Sequence, residues 1–418
     1  MLSRHFVTRS FISFNLRRHV ARRLSSYSAP SDRAKDALVY NGHVYPYVWL
    51  RDSCQCPSCL HPSTRQKLHK TSDIPVTSKP NEGGIRVSND GVDITWSSGH
   101  RSHYPAKFLS RYASRDSLHA FHRDVEKVQW DVERLNSAQD LFISYQAISS
   151  PAGLLSAITQ LTKYGLLFIT SVPNERTSNE KCELRTLGER FGELRKTFYG
   201  ETWDVKNIRN SRNIAYTNVD LGLHMDLLYF QHPPRYQILH CLRNRVEGGK
   251  SIFVDAAHVA SKLRVEDPAA FDVLASTPVA FHYINDGHHL HYSHPTIQLS
   301  RFQEDKSSPR AIEFINYSPP FQAPLALDTP PTFYPALKRF ASMLEDPTVT
   351  FEYLLREGDA VLFDNRRVLH ARTAFRERDG SESADGETNR WLKGCYLEAD
   401  AVLDRGRVLR EQLKKGSI

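Results

Sequence analysis

The feature that most constrains the fold is a series of short strand-like runs that occupies the chain from Tyr199 onward. These runs are rich in β-branched and aromatic residues: NIAYT, YQILHCL, SIFVDA, PVAFHYI, AIEFINY, TFEYLL, DAVLFDN and LKGCYL. Short runs of this kind, separated by turn residues, are typical of a β-sandwich or a barrel. A few segments of helical periodicity, such as the apolar stretch from Pro151, precede most of them. The sequence therefore predicts a mainly β fold with flanking helices, of the sandwich or jelly-roll class.

A second, smaller group of strand-like runs lies between residues 34 and 113 and predicts a separate β-rich domain. Three cysteines of this domain lie on one short loop: Cys54, Cys56 and Cys59. Three thiolates and one histidine make the tetrahedral set that is typical of closed structural zinc sites. His100, at the end of a predicted strand, is the preferred fourth ligand, with His61 and His103 as rivals.

The candidate catalytic centre is the tripeptide His224-Met225-Asp226. On an extended segment, side chains two residues apart point the same way, so an imidazole and a carboxylate can bind one metal ion. The pattern alone is weak, because 19 His and 47 acidic residues in 418 predict about two H-x-[DE] occurrences by chance. The sequence contains two such patterns, which is the number that chance predicts. The other, at His122, lies in a charged stretch of helical period, where a solvent-exposed helix face is the simpler interpretation.

His370, in the segment GDAVLFDNRRVLHART, is the candidate third ligand. Two histidines and one carboxylate form the facial triad of non-haem Fe(II) oxygenases, which leaves open positions for a cosubstrate and O2. An α-keto acid cosubstrate also needs a cation for its far carboxylate, and arginine binds a carboxylate bidentately. Residues 364–367, Arg372 and Arg390 are the polar groups nearest in sequence. We expect these groups to bind the anion.

These motifs together resemble the Fe(II)/2-oxoglutarate dioxygenases of the taurine-dioxygenase superfamily, and within it the γ-butyrobetaine and trimethyllysine dioxygenases. The resemblance is carried by LHMDLLYFQHPPRYQILHCL, GGKSIFVDA, DNRRVLHART and RWLKGCYL, and by WLRDSCQCPSC and ITWSSGH in the smaller domain. It implies a double-stranded β-helix (jelly roll) catalytic domain at residues 130–418, preceded by the small zinc-binding domain. The implied cofactors are Fe(II), 2-oxoglutarate as cosubstrate and structural Zn(II), with ascorbate as the accompanying reductant.

The resemblance also implies roles for individual residues. The Fe(II) ligands would be His224, Asp226 and His370. The cosubstrate would be contacted by Arg390, at its distal carboxylate, and by the Ser251 hydroxyl. The zinc ligands would be Cys54, Cys56, Cys59 and His100.

For the substrate, the resemblance implies an aromatic cage around a trimethylammonium group, where cation–π attraction takes the place of a counter-ion. The four cage positions would be Tyr199, Trp203, Tyr216 and Tyr396. Without the resemblance, aromatic residues in strands are more often plain core. Asn213 would lie near the substrate carboxylate, where trimethyllysine enzymes tend to carry an acidic residue suited to an amino group. This asparagine favours γ-butyrobetaine.

We therefore expect an Fe(II)- and 2-oxoglutarate-dependent dioxygenase that hydroxylates γ-butyrobetaine at C3 to give L-carnitine. Two features weaken the choice of substrate: the basic N-terminus is more typical of trimethyllysine dioxygenase, and Ile315 replaces one of the family's paired asparagines. The enzymatic alternatives are trimethyllysine 3-hydroxylation and hydroxylation of another quaternary amine or small molecule. The non-enzymatic alternative is a zinc-module binding protein with an inert triad.

Residues 1–25 contain six arginines and no acidic residue. Such a segment predicts a mitochondrial transit peptide and location in the matrix; a disordered basic tail is the alternative. These arginines supply six of the eight net positive charges, so the rest of the chain does not suggest a nucleic-acid partner. No run reaches the roughly 18 apolar residues of a transmembrane helix, so no membrane partner is expected. The expected partner is a small quaternary amine, and the resemblance implies a homodimer.

Overall fold

The computed structural model describes residues 36–122, 125–206, 219–301, 309–377 and 388–416. The predicted transit peptide and two candidate substrate residues, Asn213 and Tyr216, lie outside these ranges. The chain divides into two compact units between Phe121 and His122. None of the helices in the described ranges has both the length and the apolar character required to cross a membrane.

The first unit is built from short strands with helices at its connections. Its elements are β1 (Ala37–Tyr40), β2 (His43–Pro46), α1 (Tyr47–Asp52), β3 (Pro80–Ser88), β4 (Gly91–Trp96), β5 (Arg101–Pro105), α2 (Ala106–Tyr112) and α3 (Arg115–His122). β1 and β2 form a hairpin, and β3, β4 and β5 form an antiparallel sheet. Trp96 and Tyr104 are fully buried in its core. This core fixes the cysteine loop after α1 and the turn between β4 and β5.

The second unit combines strands of two sheets with helices. Its elements begin with α4 (Val132–Asn136), β6 (Phe142–Ser144), α5 (Pro151–Tyr164), β7 (Leu166–Thr170), α6 (Glu183–Phe191), β8 (Thr202–Lys206), β9 (Leu221–His224), β10 (Tyr236–Asn244), β11 (Val246–Gly248) and β12 (Ser251–Asp255). They continue with α7 (Ala256–Glu266), α8 (Pro268–Ser276), β13 (Pro278–Asn285), β14 (His288–Pro295), β15 (Ile297–Leu299), β16 (Ile312–Ile315), α9 (Phe333–Leu344), β17 (Phe351–Tyr353), β18 (Ala360–Asp364), β19 (Val368–Arg372), β20 (Phe375–Glu377), β21 (Arg390–Leu397) and α10 (Ala399–Lys415).

Two sheets form the frame of this unit. The larger has the order β6-β7-β18-β10-β21-β8, and the smaller has the order β17-β12-β19-β9. The short strands β11 and β20 pair with each other in a separate ribbon. Apart from them, the chain changes sheet at each step in the series β9, β10, β12 and again in the series β17, β18, β19, β21. The prediction of a mainly β fold with flanking helices is confirmed.

Alternation along β21 separates a pocket from the core. Side chains two residues apart on a strand share one face of its sheet. Arg390, Leu392 and Tyr396 line the pocket between the sheets. Cys395 and Leu397 point the other way, into the core that the larger sheet shares with the helices. The strand thus presents polar side chains to the pocket while its other face stabilises the fold.

A buried ion pair fixes the turn between β18 and β19 to the end of β12. Arg367 donates hydrogen bonds to the Asp255 carboxylate oxygens, at 3.1 Å from Nε and 2.6 Å from Nη2. Asp255 is fully buried and also accepts from the backbone of His258 in the first turn of α7, at 3.4 Å. Buried charges are tolerated when they are paired and hydrogen-bonded in this way. The pair holds the start of β19, the strand that carries His370.

Candidate active site

Two histidines and an aspartate meet on the smaller sheet. His224 ends β9, His370 lies on β19, and the two are direct cross-strand partners whose ring centroids are 4.1 Å apart. Asp226 Oδ1 is 3.5 Å from His224 Nε2. One ligand atom from each of the three residues lies within 4.8 Å of the other two. The fold therefore brings together the three residues that the sequence selected as a metal triad.

The position of Asp226 differs from the prediction, which placed both His224 and Asp226 on one extended strand. β9 ends at His224, and Asp226 lies in the following turn. Leu227, the next residue, has a φ of 61°, a left-handed conformation that is uncommon outside glycine. The reason for the difference is this turn, which brings the carboxylate back towards His224.

Asn365 holds the turn in place. Its Oδ1 accepts from the backbone N–H of Asp226 at 2.8 Å. Its Nδ2 donates to the carbonyl oxygens of Asp226 at 3.0 Å and Pro234 at 3.1 Å. A strained residue persists when surrounding contacts over-determine it, and this fully buried amide supplies such contacts. Asn365 is thus a positioning residue and not the anion-binding group that its place in sequence suggested.

Hydrogen bonds also orient the triad side chains. His224 Nδ1 lies 2.8 Å from the carbonyl oxygen of Gly222. Donation to that carbonyl leaves the Nε2 lone pair free to face a metal. The Tyr396 hydroxyl donates to Asp226 Oδ2 at 3.0 Å. The oxygen on the other side of the carboxylate, Oδ1, is the one that faces His224.

The electrostatics of the site suit a divalent cation. Burial opposes ionisation of Asp226, but the adjacent His224 and His370 hold the pKa of this carboxyl well below its usual range. Burial, reinforced by the charge of His224, lowers the pKa of His370 to about 3. An ionised carboxylate and a neutral imidazole are the protonation states that metal binding requires. A two-histidine, one-carboxylate donor set fits Fe(II).

Two arginines, Arg372 and Arg390, line the same pocket as the triad. Arg390 is buried, and among the described residues its Nε has no hydrogen-bond partner and no carboxylate pairs with it. Burial, and then the neighbouring charge of Arg372, lower the pKa of Arg390 to about 10. Buried cations in this situation favour an incoming anion. Ser251 is also buried and lines the pocket.

Two other arginines predicted to bind the anion do not line this pocket. Arg367 is engaged by Asp255, and Arg366 donates to Asn316 Oδ1 at 2.8 Å. The expectation for these two residues was wrong because they lie in the turn between β18 and β19, whose side chains are directed into other buried contacts. Only Arg372 and Arg390 of the expected cations reach the pocket.

Aromatic side chains form another wall of the pocket. Three of the four predicted cage residues line it: Tyr199, Trp203 and Tyr396. The ring centroids of Tyr199 and Trp203 are 6.0 Å apart, and those of Trp203 and Tyr396 are 4.4 Å apart. A Cβ on Gly394 would lie 2.5 Å from the Trp203 ring, so glycine at that position lets the indole lie against β21.

Tyr229 lines the pocket as well, although no role was predicted for it. Its ring stacks on that of Tyr283 from β13, with centroids 5.3 Å apart. Its place three residues after Asp226 was the available signal, but the sequence does not show which way this turn residue points.

The first unit holds a second group of metal-ligating side chains. His100 Nε2 lies 3.3 Å from Cys54 Sγ and 3.6 Å from the sulfurs of both Cys56 and Cys59. Tetrahedral zinc with ordinary Zn–S and Zn–N bonds places nitrogen and sulfur about 3.5 Å apart. The arrangement therefore fits a zinc ion, and His100 is the histidine that joins the cysteines in this group.

Neighbouring polar groups support these thiols. The Trp96 indole N–H donates to Ser102 Oγ at 2.8 Å, and Ser102 Oγ donates to Cys54 Sγ at 3.0 Å. Burial, together with the charge of Cys54, raises the pKa of Cys59 to about 11. Without a cation this sulfur is a thiol at neutral pH, and a bound metal would displace its proton.

Comparison with known protein families identifies the chain. The model of the taurine catabolism dioxygenase TauD, TfdA family matches residues 137–396, which is more than half of the sequence. The chain belongs to this family. A second family model, gamma-butyrobetaine hydroxylase-like, N-terminal, matches residues 39–110. The resemblance drawn from the sequence motifs is confirmed.

Three known proteins are similar to this chain over most of its length. Dioxygenase str8 of Strobilurus tenacellus is 53% identical over 389 residues, covering 93% of this chain and 90% of that protein. Gamma-butyrobetaine dioxygenase of Homo sapiens is 31% identical over 383 residues, covering 90% and 93%. The mitochondrial trimethyllysine dioxygenase of Homo sapiens is 28% identical over 370 residues, covering 87% and 82%. The prediction of a dioxygenase of the Fe(II)/2-oxoglutarate type is confirmed.

Proposed function

We propose that this dioxygenase hydroxylates γ-butyrobetaine at C3 to give L-carnitine. The observation that carries the proposal is that one pocket combines the triad, a buried arginine without a carboxylate partner among the described residues, and a wall of aromatic rings. These three features match a metal ion, an anionic cosubstrate and a cationic substrate. The change of sheet between successive strands supports a double-stranded β-helix as the frame of this pocket.

Each group of pocket residues would have a separate role in the reaction. His224, Asp226 and His370 would hold Fe(II), which couples oxidative decarboxylation of 2-oxoglutarate to hydroxylation of the substrate. Arg390 would bind the distal carboxylate of 2-oxoglutarate, and Ser251 would contribute a hydroxyl contact. The aromatic wall would hold the trimethylammonium group, so that one C–H bond of C3 is presented to the metal side of the pocket. Catalysis by these residues is positioning more than acid–base chemistry.

The choice of substrate rests on the aromatic wall, on Asn213, and on the likeness to γ-butyrobetaine dioxygenase. Asn213 and Tyr216 lie outside the described residues, so their roles stay predictions. Trimethyllysine is the second candidate, since the chain is also similar to a trimethyllysine dioxygenase. Both substrates carry the trimethylammonium group that suits the wall.

A parallel turnover assay tests the proposal. Protein lacking residues 1–25 is supplied with Fe(II), 2-oxoglutarate and ascorbate, and succinate is measured with γ-butyrobetaine or trimethyllysine. We expect γ-butyrobetaine to stimulate succinate release strongly and trimethyllysine to stimulate it weakly. Turnover with trimethyllysine alone would show that trimethyllysine, and not γ-butyrobetaine, is the substrate. If neither stimulates succinate release while slow uncoupled loss of 2-oxoglutarate persists, the trimethylammonium proposal is wrong.

Replacing Trp203 with leucine is expected to raise KM for γ-butyrobetaine by about 2- to 30-fold, because a cation–π contact contributes about 0.5–2 kcal/mol. KM for 2-oxoglutarate should stay unchanged, since the arginines that would bind it are intact. The matched control is Trp391→Leu on the opposite face of β21, whose indole donates to Asp204 at 2.6 Å. Equal effects of the two variants on KM would count against the cage.

We propose that Cys54, Cys56, Cys59 and His100 hold a structural zinc ion, as the sequence predicts; the grouping of these four side chains supports the proposal. Structural zinc contributes about 10–16 kcal/mol in small zinc-finger peptides, so its loss should unfold the first unit. We expect Cys56→Ser protein to lose one zinc per chain and to become sensitive to proteolysis within residues 36–121. Cys182→Ser, which changes a cysteine outside this group, is the control. Retention of zinc in the Cys56 variant would overturn the assignment.

We propose that the protein resides in the mitochondrial matrix, as its basic N-terminal segment predicts. A fluorescent fusion of the full chain should enter mitochondria, whereas a fusion lacking residues 1–25 should not. Equal distribution of the two fusions would contradict a targeting role. The homodimer implied by the resemblance stays a prediction.

A further inference from the structure

One buried polar side chain in the pocket has no role in the assignments above. Gln237 lies on β10, is 2% exposed and lines the same pocket as the triad. Its Oε1 has no hydrogen-bond partner among the described residues. A buried polar atom that lacks a partner is costly to the fold. A carboxamide oxygen that no described protein group holds leaves the amide able to turn, so that either its oxygen or its N–H can face a ligand in the pocket.

The position of Gln237 shows which part of the pocket it serves. Its cross-strand partners on the larger sheet are Tyr396 on one side and Phe363 on the other. The Tyr396 hydroxyl bonds to Asp226, and the Phe363 ring lies with its centroid 4.7 Å from that of His370. Gln237 therefore lies between the two residues that contact metal ligands.

Arg390 lies at the end of the pocket away from Gln237. In the register of β10 with β21, Arg390 pairs with Asn244, whereas Gln237 pairs with Tyr396 at the far end of the ladder. Leu239, between them on β10, lines the pocket and offers no polar group. Along this wall the carboxamide thus lies at the metal end and the guanidinium at the distal end.

We propose that Gln237 binds the carboxylate of the 2-oxo acid that lies next to the metal. The donor would be the carboxamide N–H, because a carboxylate offers only acceptor oxygens. Half a turn about the last side-chain bond brings this N–H, in place of Oε1, towards the ligand. A hydrogen bond to a charged carboxylate is stronger than one between neutral groups. This inference rests on the proposed function, because it assumes that a 2-oxo acid and a metal occupy the pocket.

The test measures ligand binding rather than turnover. Mn(II) is loaded into the protein in place of Fe(II), and dissociation constants are measured by calorimetry for 2-oxoglutarate and for oxalate. Oxalate carries the metal-chelating end of the 2-oxo acid but is too short to bridge to the distal arginine. In the Gln237→Leu variant we expect both ligands to bind about tenfold or more weakly. In the Arg390→Met variant we expect 2-oxoglutarate to weaken and oxalate to bind as in the wild type.

Thermal unfolding of the ligand-free protein separates this role from a structural one. Replacing an unsatisfied buried amide by an apolar side chain of similar size is neutral or stabilising. We therefore expect Tm of the Gln237→Leu variant to be unchanged or raised while its affinity for the ligands falls. A lowered Tm with unchanged ligand affinity would overturn the inference, as would weakening of 2-oxoglutarate without oxalate. Failure of the wild-type protein to bind either ligand would instead overturn the proposed function itself.

Discussion

Replacing His224 with alanine is expected to abolish substrate-dependent succinate formation. His224 is the direct cross-strand partner of His370 and lies 3.5 Å from the Asp226 carboxylate, so its loss removes one of three donors and opens the triad. Changes to groups that only orient metal ligands cost about 10- to 100-fold in metal affinity or activity. Loss of a ligand itself should exceed that range. The measurements are succinate release and iron bound per chain.

The matched control is His122→Ala. His122 begins the other H-x-D sequence of the chain, but it is exposed at the end of α3 and belongs to neither group of metal-ligating residues. The His122→Ala variant should therefore keep both iron content and succinate release at the wild-type level. Wild-type turnover in the His224 variant would contradict the metal assignment.

Replacing Arg390 with methionine is expected to raise KM for 2-oxoglutarate by about 30-fold or more. Truncating one partner of a buried, hydrogen-bonded charge pair costs about 2–5 kcal/mol, and each 1.36 kcal/mol is a factor of ten. Arg390 is buried, and no described carboxylate competes for it, so its bond to the ligand should lie in this range. Methionine keeps the unbranched apolar stem of the side chain while removing the guanidinium and its charge.

The control for this prediction is Arg376→Met. Arg376 has the same charge but is 83% exposed and pairs on the surface with Glu247 at 2.7 Å. Surface ion pairs contribute little, so KM for 2-oxoglutarate should not change. An equal rise in both variants would indicate a general electrostatic effect and would contradict a specific role for Arg390.

Much of the candidate site could be predicted because its chemistry is encoded by residue type. Two histidines with a nearby carboxylate, and three cysteines on one loop, are donor sets that few other roles require. The sequence could not show that His224 and His370 face each other. They are far apart in the chain, and the pairing of β9 with β19 is set by the fold as a whole.

Residues whose role depends on the direction in which their side chains point were harder to predict. Strand β10 is apolar on both faces, with Tyr236 and Ile238 in the core and Leu239 in the pocket, so periodicity does not reveal which face Gln237 shares. In the turn after β18, Asn365, Arg366 and Arg367 are adjacent in sequence but make unrelated contacts. Only the three-dimensional course of the turn distinguishes them.

Oxygen-18 labelling with γ-butyrobetaine tests the central claim most directly. In a reaction under labelled O2, the product and succinate are analysed by mass spectrometry. We predict one labelled oxygen atom in the hydroxylated product, one in succinate, and one succinate formed for each product. A hydroxyl oxygen derived from water, or succinate formed without any hydroxylated trimethylammonium product, would contradict the account.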